Sequence, residues 1–567
     1  MNSVVILLLA VITALIGYYV YAKYVDEKII QADPKKATPA VMYMDGVDFM
    51  PTSRHVLIGY QFKSIAALGP ITGPIIAIQW GWLPALLWIL FGVFFIGWVH
   101  DYSSAILSMR NEGQSFGALS YRLISPRARV TLLSFIYFYL ILILAAFGDI
   151  VATMMAKISS VPFAILALMG TGALAGWMIY KKRSDILYTT FLMVALSLIG
   201  IYLGTVLKIP GSKTLWVLFA LLFSYLGAVL PIWSYTQPIN YISFYLVFLG
   251  MLGAALGILI GHPVASTPAF TTYTIGVGPL WPILFVTIAC GAISGWHSLV
   301  SSSGTARQLQ NETHNRYVTA GAMFLEMVLA ALAIIIASAT FKDFGAYAAE
   351  MKASGPAGVF AKGMSSLLAY LGIPGGFGTA FAGAIFVILA ITVMQLVLRF
   401  ARIATAELAG DAIPALRNMH LGALLAMAIT YLLIATGTYG YIWTLFGGSN
   451  QLMASLALMM VTIWLASQKR NYHYALWPMV FMFLTTISAL AWTAYRMYEN
   501  IGKLQAGKLP PPAGQTVGMA VAGNGISILI ALFLLVAALI LVWDGFKAFG
   551  KAVWPTTSLG QGKTKEA

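Results

Sequence analysis

The sequence predicts an all-α polytopic membrane protein of about 15 transmembrane helices, with a five-plus-five inverted-repeat core and peripheral helices. Three observations predict it. Of the 567 residues, 60% are apolar and 9% charged, whereas soluble domains carry about 25% charged residues. Apolar stretches long enough to cross about 30 Å of hydrocarbon as helices recur from one end to the other, and two of them are interrupted in mid-span by glycine and proline. Lipid therefore faces most of the surface, which excludes soluble enzymes and nucleic-acid binders. The net charge of +15 has its source in the lysines and arginines of cytoplasmic loops. Cys290, the single cysteine, excludes a disulfide framework and a thiolate metal cluster.

In chain order the apolar stretches fall near 3–22, 56–79, 82–106, 131–156, 161–180, 186–207, 213–233, 240–260, 279–303, 317–340, 378–400, 420–437, 440–466, 474–495 and 520–543. The first has no basic n-region and no small-x-small site before Tyr18, Tyr19 and Tyr21, so it reads as a retained helix. Basic residues follow the odd-numbered stretches, Lys23 and Lys28 after the first, Arg110 and Arg122 after the third, Lys181 to Arg183 after the fifth, Arg307 and Arg316 after the ninth, while the even-numbered exits are nearly uncharged apart from two longer polar segments at 341–377 and 496–519. The positive-inside rule then places the N-terminus outside and the C-terminus in the cytoplasm.

The interruptions suggest internal symmetry. Gly69-Pro70-Ile71-Thr72-Gly73-Pro74 breaks the second stretch, and Gly227 to Pro231, followed by Trp233, breaks the seventh. Five helices separate them, and an odd step reverses polarity in the membrane, as in secondary transporters. The division expected is 1–55 as an N-terminal helix and cytoplasmic pre-core segment, 56–208 and 209–402 as the two inverted repeats, and 403–567 as additional helices with a short cytoplasmic tail.

Unwound backbone at the midplane offers N–H groups to a carboxylate and carbonyls to a cation. That makes Ala67, Gly69, Gly73, Gly227, Pro231 and Trp233 the substrate-binding candidates. Ionisable residues within the hydrocarbon form a second set: His100 and Asp101, Asp149, His297 and Glu326. Asp101, His297 and Glu326 suit coupling-proton chemistry, structural hydrogen bonding explains them equally simply, and His55 with Asp101 and His297 is a third reading as a zinc site, without close ligand spacing. Asp48, Arg54 and Arg399 are gating candidates, joined by Asp45, Lys63 and Arg402 around the inner vestibule. The alternative is that Arg54, Lys63 and Arg399 snorkel to the interface.

Four motifs carry a family resemblance: Asp45-Gly46-Val47-Asp48-Phe49-Met50-Pro51-Thr52; Val56-Leu57-Ile58-Gly59 leading to Gly69–Pro74; Ser294-Gly295-Trp296-His297 with Ser302-Ser303-Gly304-Thr305; and Trp443-Thr444-Leu445-Phe446-Gly447-Gly448-Ser449-Asn450-Gln451. In this order they resemble the signature of the carbon starvation protein (CstA) family. The resemblance implies an inner-membrane carrier with a LeuT/APC-like core, associated with carbon starvation and with uptake of peptides or, in some members, pyruvate. In such a core the helix holding Ser302 and Ser303 faces the broken first helix and completes a Na+ site; serines otherwise bond the carbonyl four residues back. The chain departs from the family in having Tyr60-Gln61 where His-His is usual, and in being shorter than the longer members.

Fifteen dissimilar helices argue against a channel. Ser303 and His297, six residues apart on one helix, lie on different faces and make no nucleophile–base pair, and no Gly-x-x-x-x-Gly-Lys-Ser/Thr loop serves a pump. The expectation is a non-enzymatic secondary transporter in the inner membrane. It imports peptides or a small carboxylate by alternating access, coupled to H+ or Na+, without a cofactor; pyruvate-specific proton symport is the alternative. Its partners are the substrate and membrane lipid, with no nucleic acid, and the sequence sets no oligomeric state.

Overall fold

The computed structural model describes residues 1–435, 439–511 and 516–553; the expected C-terminal tail beyond residue 553 lies outside them. Among the described residues the chain is helical throughout, and strand-like pairing is confined to isolated bridges. In order the helices are α1 (Ser3–Ile30), α2 (Arg54–Ile65), α3 (Gly69–Trp80), α4 (Trp82–Met109), α5 (Phe116–Leu123), α6 (Pro126–Lys157), α7 (Val161–Lys181), α8 (Ile186–Val206), α9 (Lys213–Val229) and α10 (Thr236–Gly261). After these come α11 (280–287), α12 (Gly295–Ser303), α13 (Arg316–Ala339), α14 (Phe344–Ala369), α15 (Gly375–Ala409), α16 (Met419–Ala435), α17 (Tyr439–Ser467), α18 (His473–Gln505) and α19 (Val517–Val553). Among the described residues 11 helices are long and apolar enough to cross a membrane, 12 if the bent pair α2–α3 counts as one span.

Local chemistry sets the boundaries. Ser125, Asp185 and Ser212 cap α6, α8 and α9, each side-chain oxygen accepting a first-turn backbone N–H, which satisfies a donor that helix geometry leaves over. Gly81, between α3 and α4, has φ +110° and a Cβ direction that ends 2.3 Å from the Ala269 carbonyl oxygen; only glycine turns the chain there.

The break between α2 and α3 lies where proline chemistry puts it. Pro70 cannot donate to the carbonyl of Ala66, and its ring crowds that carbonyl. Ala66 accordingly leaves helical geometry with ψ 73°, and α3 departs at 43°.

A second interruption separates α11 from α12, at 288–294, inside the stretch expected to run unbroken over 279–303. The chain leaves the helix at Ile288 (φ −94°, ψ 57°) and resumes after Ser294. Gly227–Pro231, expected as the second interruption, instead forms the end of α9 and a turn leading into α10.

The centre of the molecule is α15, buried over its apolar length, and α17, likewise buried, whereas α1, α8 and α19 each expose most of theirs. The long helices α6 and α15 lie against each other; α2 packs on α10 and α13, α3 on α13, and α12 on α4 and α17. The pair α7–α8 lies outside α10 and α15, and α18 and α19 flank α17.

Candidate functional site

The two interruptions meet, and glycines allow it. A Cβ on Gly69 would lie 2.1 Å from the Cβ of Cys290, one on Gly73 2.5 Å from the Thr287 carbonyl oxygen, and one on Gly291 3.2 Å from Cα of Pro70. Between them, with Phe446 and Gly447 of α17, lies a cavity of about 270 Å³ lined by Gly69, Gly73, Thr287, Ala289 and Cys290. On another face of α3 a cavity of about 430 Å³ is bordered by Thr72, Asp149, Lys157, Glu350 and Lys362.

Unwinding a helix in the bilayer is tolerated only where other groups satisfy its backbone, and here side chains of α17 and α12 bond the edges of the two interruptions. Asn450 Oδ1 accepts from Ser294 Oγ at 3.0 Å, from the Trp296 N–H at 3.2 Å and from the Tyr139 hydroxyl, while Nδ2 donates to Cys290 Sγ at 3.3 Å. Gln451 Nε2 donates to the Phe285 carbonyl at 2.7 Å, and Trp296 Nε1 to the Ser64 carbonyl beside the first interruption at 2.7 Å. In the sequence Ser449-Asn450-Gln451 stands out only as part of the fourth motif; the signal missed was a pair of side-chain amides in a span otherwise apolar, placed to bond the edges of an interrupted helix.

Next to the interruptions is a fully buried ionisable cluster. His297, in the first turn of α12, presents Nδ1 to Asp101 Oδ2 at 3.2 Å and Nε2 to Glu326 Oε2 at 3.5 Å. His100 Nδ1 meets Asp101 Oδ1 at 3.0 Å. Three helices thus bring together Asp101, His297 and Glu326, the set expected from the sequence. Lys63, in the last turn of α2, is also fully buried, and its Nζ donates to Thr392 Oγ1 of α15 at 2.8 Å. Lys63 therefore does not snorkel: it sits about 14 Å along α2, with its ammonium held inside the molecule on α15.

A latch forms around Arg399. Its guanidinium meets Asp48 at 2.7 Å and donates to the carbonyls of Gly227, at 2.8 Å, and Leu230; Arg402 donates to the Ala228 carbonyl at 2.8 Å. Arg399 thus holds the end of α9 to the 45–52 segment, and Asp45 shapes that segment by accepting the N–H groups of Val47, Asp48 and Phe49. Of the three gating candidates Asp48 and Arg399 pair, while Arg54 stacks on Tyr317 at 5.5 Å. Gly227 belongs to this latch, the Pro231 carbonyl accepts from the Ser234 hydroxyl in the turn that follows, and Trp233 packs on Tyr180 and Lys181; none of the three lines the cavity at the interruptions, where Gly69 and Gly73 do and Ala67 lies in the break.

Ser302 Oγ is directed to the Leu299 carbonyl at 3.5 Å, and Ser303 borders a small cavity with Ser115 and Glu407. Gln61, in the family's His-His position, bonds Ser301 Oγ at 3.0 Å and the Thr305 hydroxyl. His55 packs on the Tyr317 ring at 5.8 Å, so it is not brought to Asp101 and His297. Among the described residues no group of three or more His, Cys, Asp or Glu side chains is placed to hold a metal ion.

The latch has a defined pH behaviour. Burial would raise the Asp48 carboxyl, but the charges of Arg399, Arg402 and Arg307 outweigh it and hold it below the usual carboxylate range. A depressed carboxylate stabilises the fold above its unfolded pKa and loses that contribution only as pH falls through its folded value. Asp48→Asn is therefore expected to lower stability in detergent by about 1–2 kcal/mol, equally at about pH 5 and about pH 8. A difference that vanishes within that window contradicts the pairing.

The sequence profile of carbon starvation protein CstA matches residues 2–349 and 338–489. The chain belongs to the CstA family. Peptide transporter CstA of Escherichia coli K12 is 29% identical over 586 residues, covering 89% of this chain and 83% of the relative. Peptide transporter CstA of Bacillus subtilis 168 is 27% identical, covering 96% and 97%. Pyruvate/proton symporter BtsT of E. coli K12 is 35% identical over 338 residues, 57% of this chain and 47% of the relative, so the match spans about half of that symporter. Among solved structures, a manganese transporter of Eremococcus coleocola in complex with an aromatic bis-isothiourea compound aligns with 14% identity and TM-score 0.49, covering 89% of this chain and 99% of that one. MhsT with L-phenylalanine aligns with 13% identity and TM-score 0.47, covering 88% and 99%. This CstA-family chain is a multi-pass membrane protein whose relatives are transporters.

Proposed function

We propose that this protein is a proton-coupled secondary transporter, not an enzyme, that imports a small carboxylate-bearing nutrient, a short peptide or a keto acid such as pyruvate, across the cytoplasmic membrane during carbon starvation. The observation that carries the reading is His297 held between Asp101 and Glu326 at ion-pair distances of 3.2 and 3.5 Å. A neutral imidazole offers no charge to either carboxylate; only the doubly protonated ring, with an N–H on each nitrogen, is a counter-ion facing both. With both imidazoles neutral, Lys63, Asp101 and Glu326 sum to one negative charge, which a low-dielectric interior penalises; one added proton balances it. The cluster is thus built to gain and lose one proton beside the two helix breaks, where substrate contacts Gly69, Gly73 and the unwound 288–294 backbone.

The architecture that supports alternating access is a five-plus-five inverted repeat. We assign α2–α3, α4, α6, α9 and α10 to the first half and α11–α12, α13, α15, α16 and α17 to the second, with α7–α8 inserted. The interrupted helices open each half, and the long α6 and α15 occupy corresponding third positions and pack together. This moves the repeat boundaries from 56–208 and 209–402 to 54–261 and 280–467. Adding the two interrupted spans and the shorter helices α9 and α16 to the long apolar helices, we count fifteen spans; an odd number sets the termini on opposite sides, and the basic residues of the 23–36 and 110–129 segments favour the N-terminus outside and the C-terminus in the cytoplasm. The Asp48–Arg399 latch then closes the cytoplasmic side, and α14, kinked at Gly355, lies outside.

Topology is testable directly. In a Cys290→Ser background, a cysteine at Ala349 is expected to react with an impermeant thiol reagent applied to whole cells, and one at Tyr121 only after lysis; equal labelling from outside removes the assignment. Function is tested by uptake of labelled pyruvate and L-alanyl-L-alanine into proteoliposomes. Accumulation of at least one under an inward proton gradient is expected, and accumulation of neither defeats the reading.

A further inference from the structure

The mechanism above leaves Lys63 as a counter-charge, and its surroundings point to more. It stands in the last turn of α2, at the edge of the first interruption. Its ammonium has three donors, and one acceptor is supplied, Thr392 Oγ1 at 2.8 Å. No carboxylate of the described residues lies within ion-pair distance. Glu326 stands on α13, which packs against α2. A half-helix C-terminus favours a cation, but a buried ammonium with a single hydrogen bond is held at a cost that losing the proton removes.

Other groups near Lys63 can be named element by element. The helix α10 packs on α2 and brings the phenols Tyr241 and Tyr245 and no charge. From α12 comes His297, and from α13 Glu326, with Arg316 ten residues earlier. From α15 comes Thr392, with Arg399 about 10 Å further along the helix and engaged by Asp48. On α2 itself Tyr60, Arg54 and His55 precede Lys63. Glu326 is therefore the acceptor that the arrangement offers to a departing proton.

We propose that Lys63 is a proton-carrying side chain that fastens α2 to α15 through Thr392, and that passing its proton to Glu326 releases the fastening in each transport cycle. This deepens the proton-coupled reading and rests on it. The transfer turns an ammonium and a carboxylate into an amine and a carboxylic acid, so the pair keeps zero net charge and the step adds no charge to the interior. Glu326 hands the proton on to His297, whose Nε2 is 3.5 Å away. The amine left on Lys63 no longer holds Thr392 as an ammonium does, and α2, which ends in the hinge at 66–68, is freed to move against α15.

The experiment compares wild type, Lys63→Met and Lys63→Arg in proteoliposomes, with labelled pyruvate and L-alanyl-L-alanine as probes. Wild type is expected to accumulate a probe under an inward gradient of one pH unit. Lys63→Met, which carries no proton, is expected to accumulate it less than about twofold. Lys63→Arg keeps the cation and cannot release its proton; its initial uptake is expected to fall at least about tenfold. Wild-type accumulation in the Met variant, or rescue by Arg, overturns the proposal and shows Lys63 to be a structural cation. Thr392→Val is the second arm: it removes the acceptor and is expected to shift the pH of half-maximal uptake, whereas an unshifted profile counts against the fastening. It also serves if a Lys63 variant fails to fold. A wild type indifferent to the proton gradient defeats the proposed function itself; a driven wild type with an equally driven Met variant defeats only the role of Lys63.

Discussion

Asp101→Asn is expected to abolish accumulation of substrate against a gradient while sparing exchange of substrate between the two sides. Asp101 joins His100, at 3.0 Å, to His297, at 3.2 Å, and its negative charge is what makes a doubly protonated His297 affordable in a fully buried site. The amide keeps the shape and one acceptor, so the helices remain packed, but removing that charge leaves Lys63 and Glu326 already balanced. The extra proton then has no reason to bind. One pH unit of gradient is worth about 1.4 kcal/mol, a factor of about ten per proton. Wild-type vesicles should thus concentrate substrate up to about tenfold and the variant should only equilibrate it. Counterflow measured in the same vesicles separates coupling from folding: a variant that loses both in proportion has lost structure, and the cluster is then merely a polar contact.

The second large effect is steric. Gly73→Ala is expected to stop transport, because the new Cβ meets backbone, the Thr287 carbonyl oxygen at 2.5 Å and the Ile288 Cα at 3.0 Å, and backbone does not step aside as a side-chain tip does. Overpacking of this kind costs about 1–3 kcal/mol, so the variant should also lose thermal stability, and a bulkier residue such as leucine cannot serve as a clean probe of substrate contact. Gly69→Ala differs in an informative way. Its Cβ meets mainly the Cys290 side chain, at 2.1 Å from Cβ and 2.4 Å from Sγ, so Cys290→Gly should restore stability and part of the uptake to Gly69→Ala but not to Gly73→Ala. Rescue of both, or of neither, shows that the interrupted helices do not meet in this way.

What was legible in the sequence follows from the physics of each feature. The first interruption could be read because proline removes a donor and strains the carbonyl four residues back, a local effect that needs no neighbour. The second could not: Ile288 to Ser294 contains no proline, and its contacts come from Asn450 and Gln451, more than 150 residues away, which bond the Ser294 hydroxyl and the flanking Trp296 N–H and Phe285 carbonyl. Gly227 to Pro231 carried the local signal without the tertiary partner, and there the glycine and proline end a helix whose last carbonyls go to Arg399 and Arg402. The buried triad of Asp101, His297 and Glu326 was visible because lipid tolerates such residues only when they face one another or water. Lys63 was read as a vestibule or snorkelling residue because a lysine stem is long and amphipathic, and only the packing of α10, α13 and α15 around α2 closes every route by which its ammonium would reach an interface.

The measurement that bears most directly on proton coupling through the Asp101–His297–Glu326 cluster is uptake into proteoliposomes under separately imposed proton and sodium gradients. With labelled pyruvate and L-alanyl-L-alanine as probes and a protonophore as control, accumulation is predicted to follow the inward proton gradient, to collapse on adding the protonophore, and to be indifferent to sodium. Accumulation that follows the sodium gradient and survives the protonophore would contradict it.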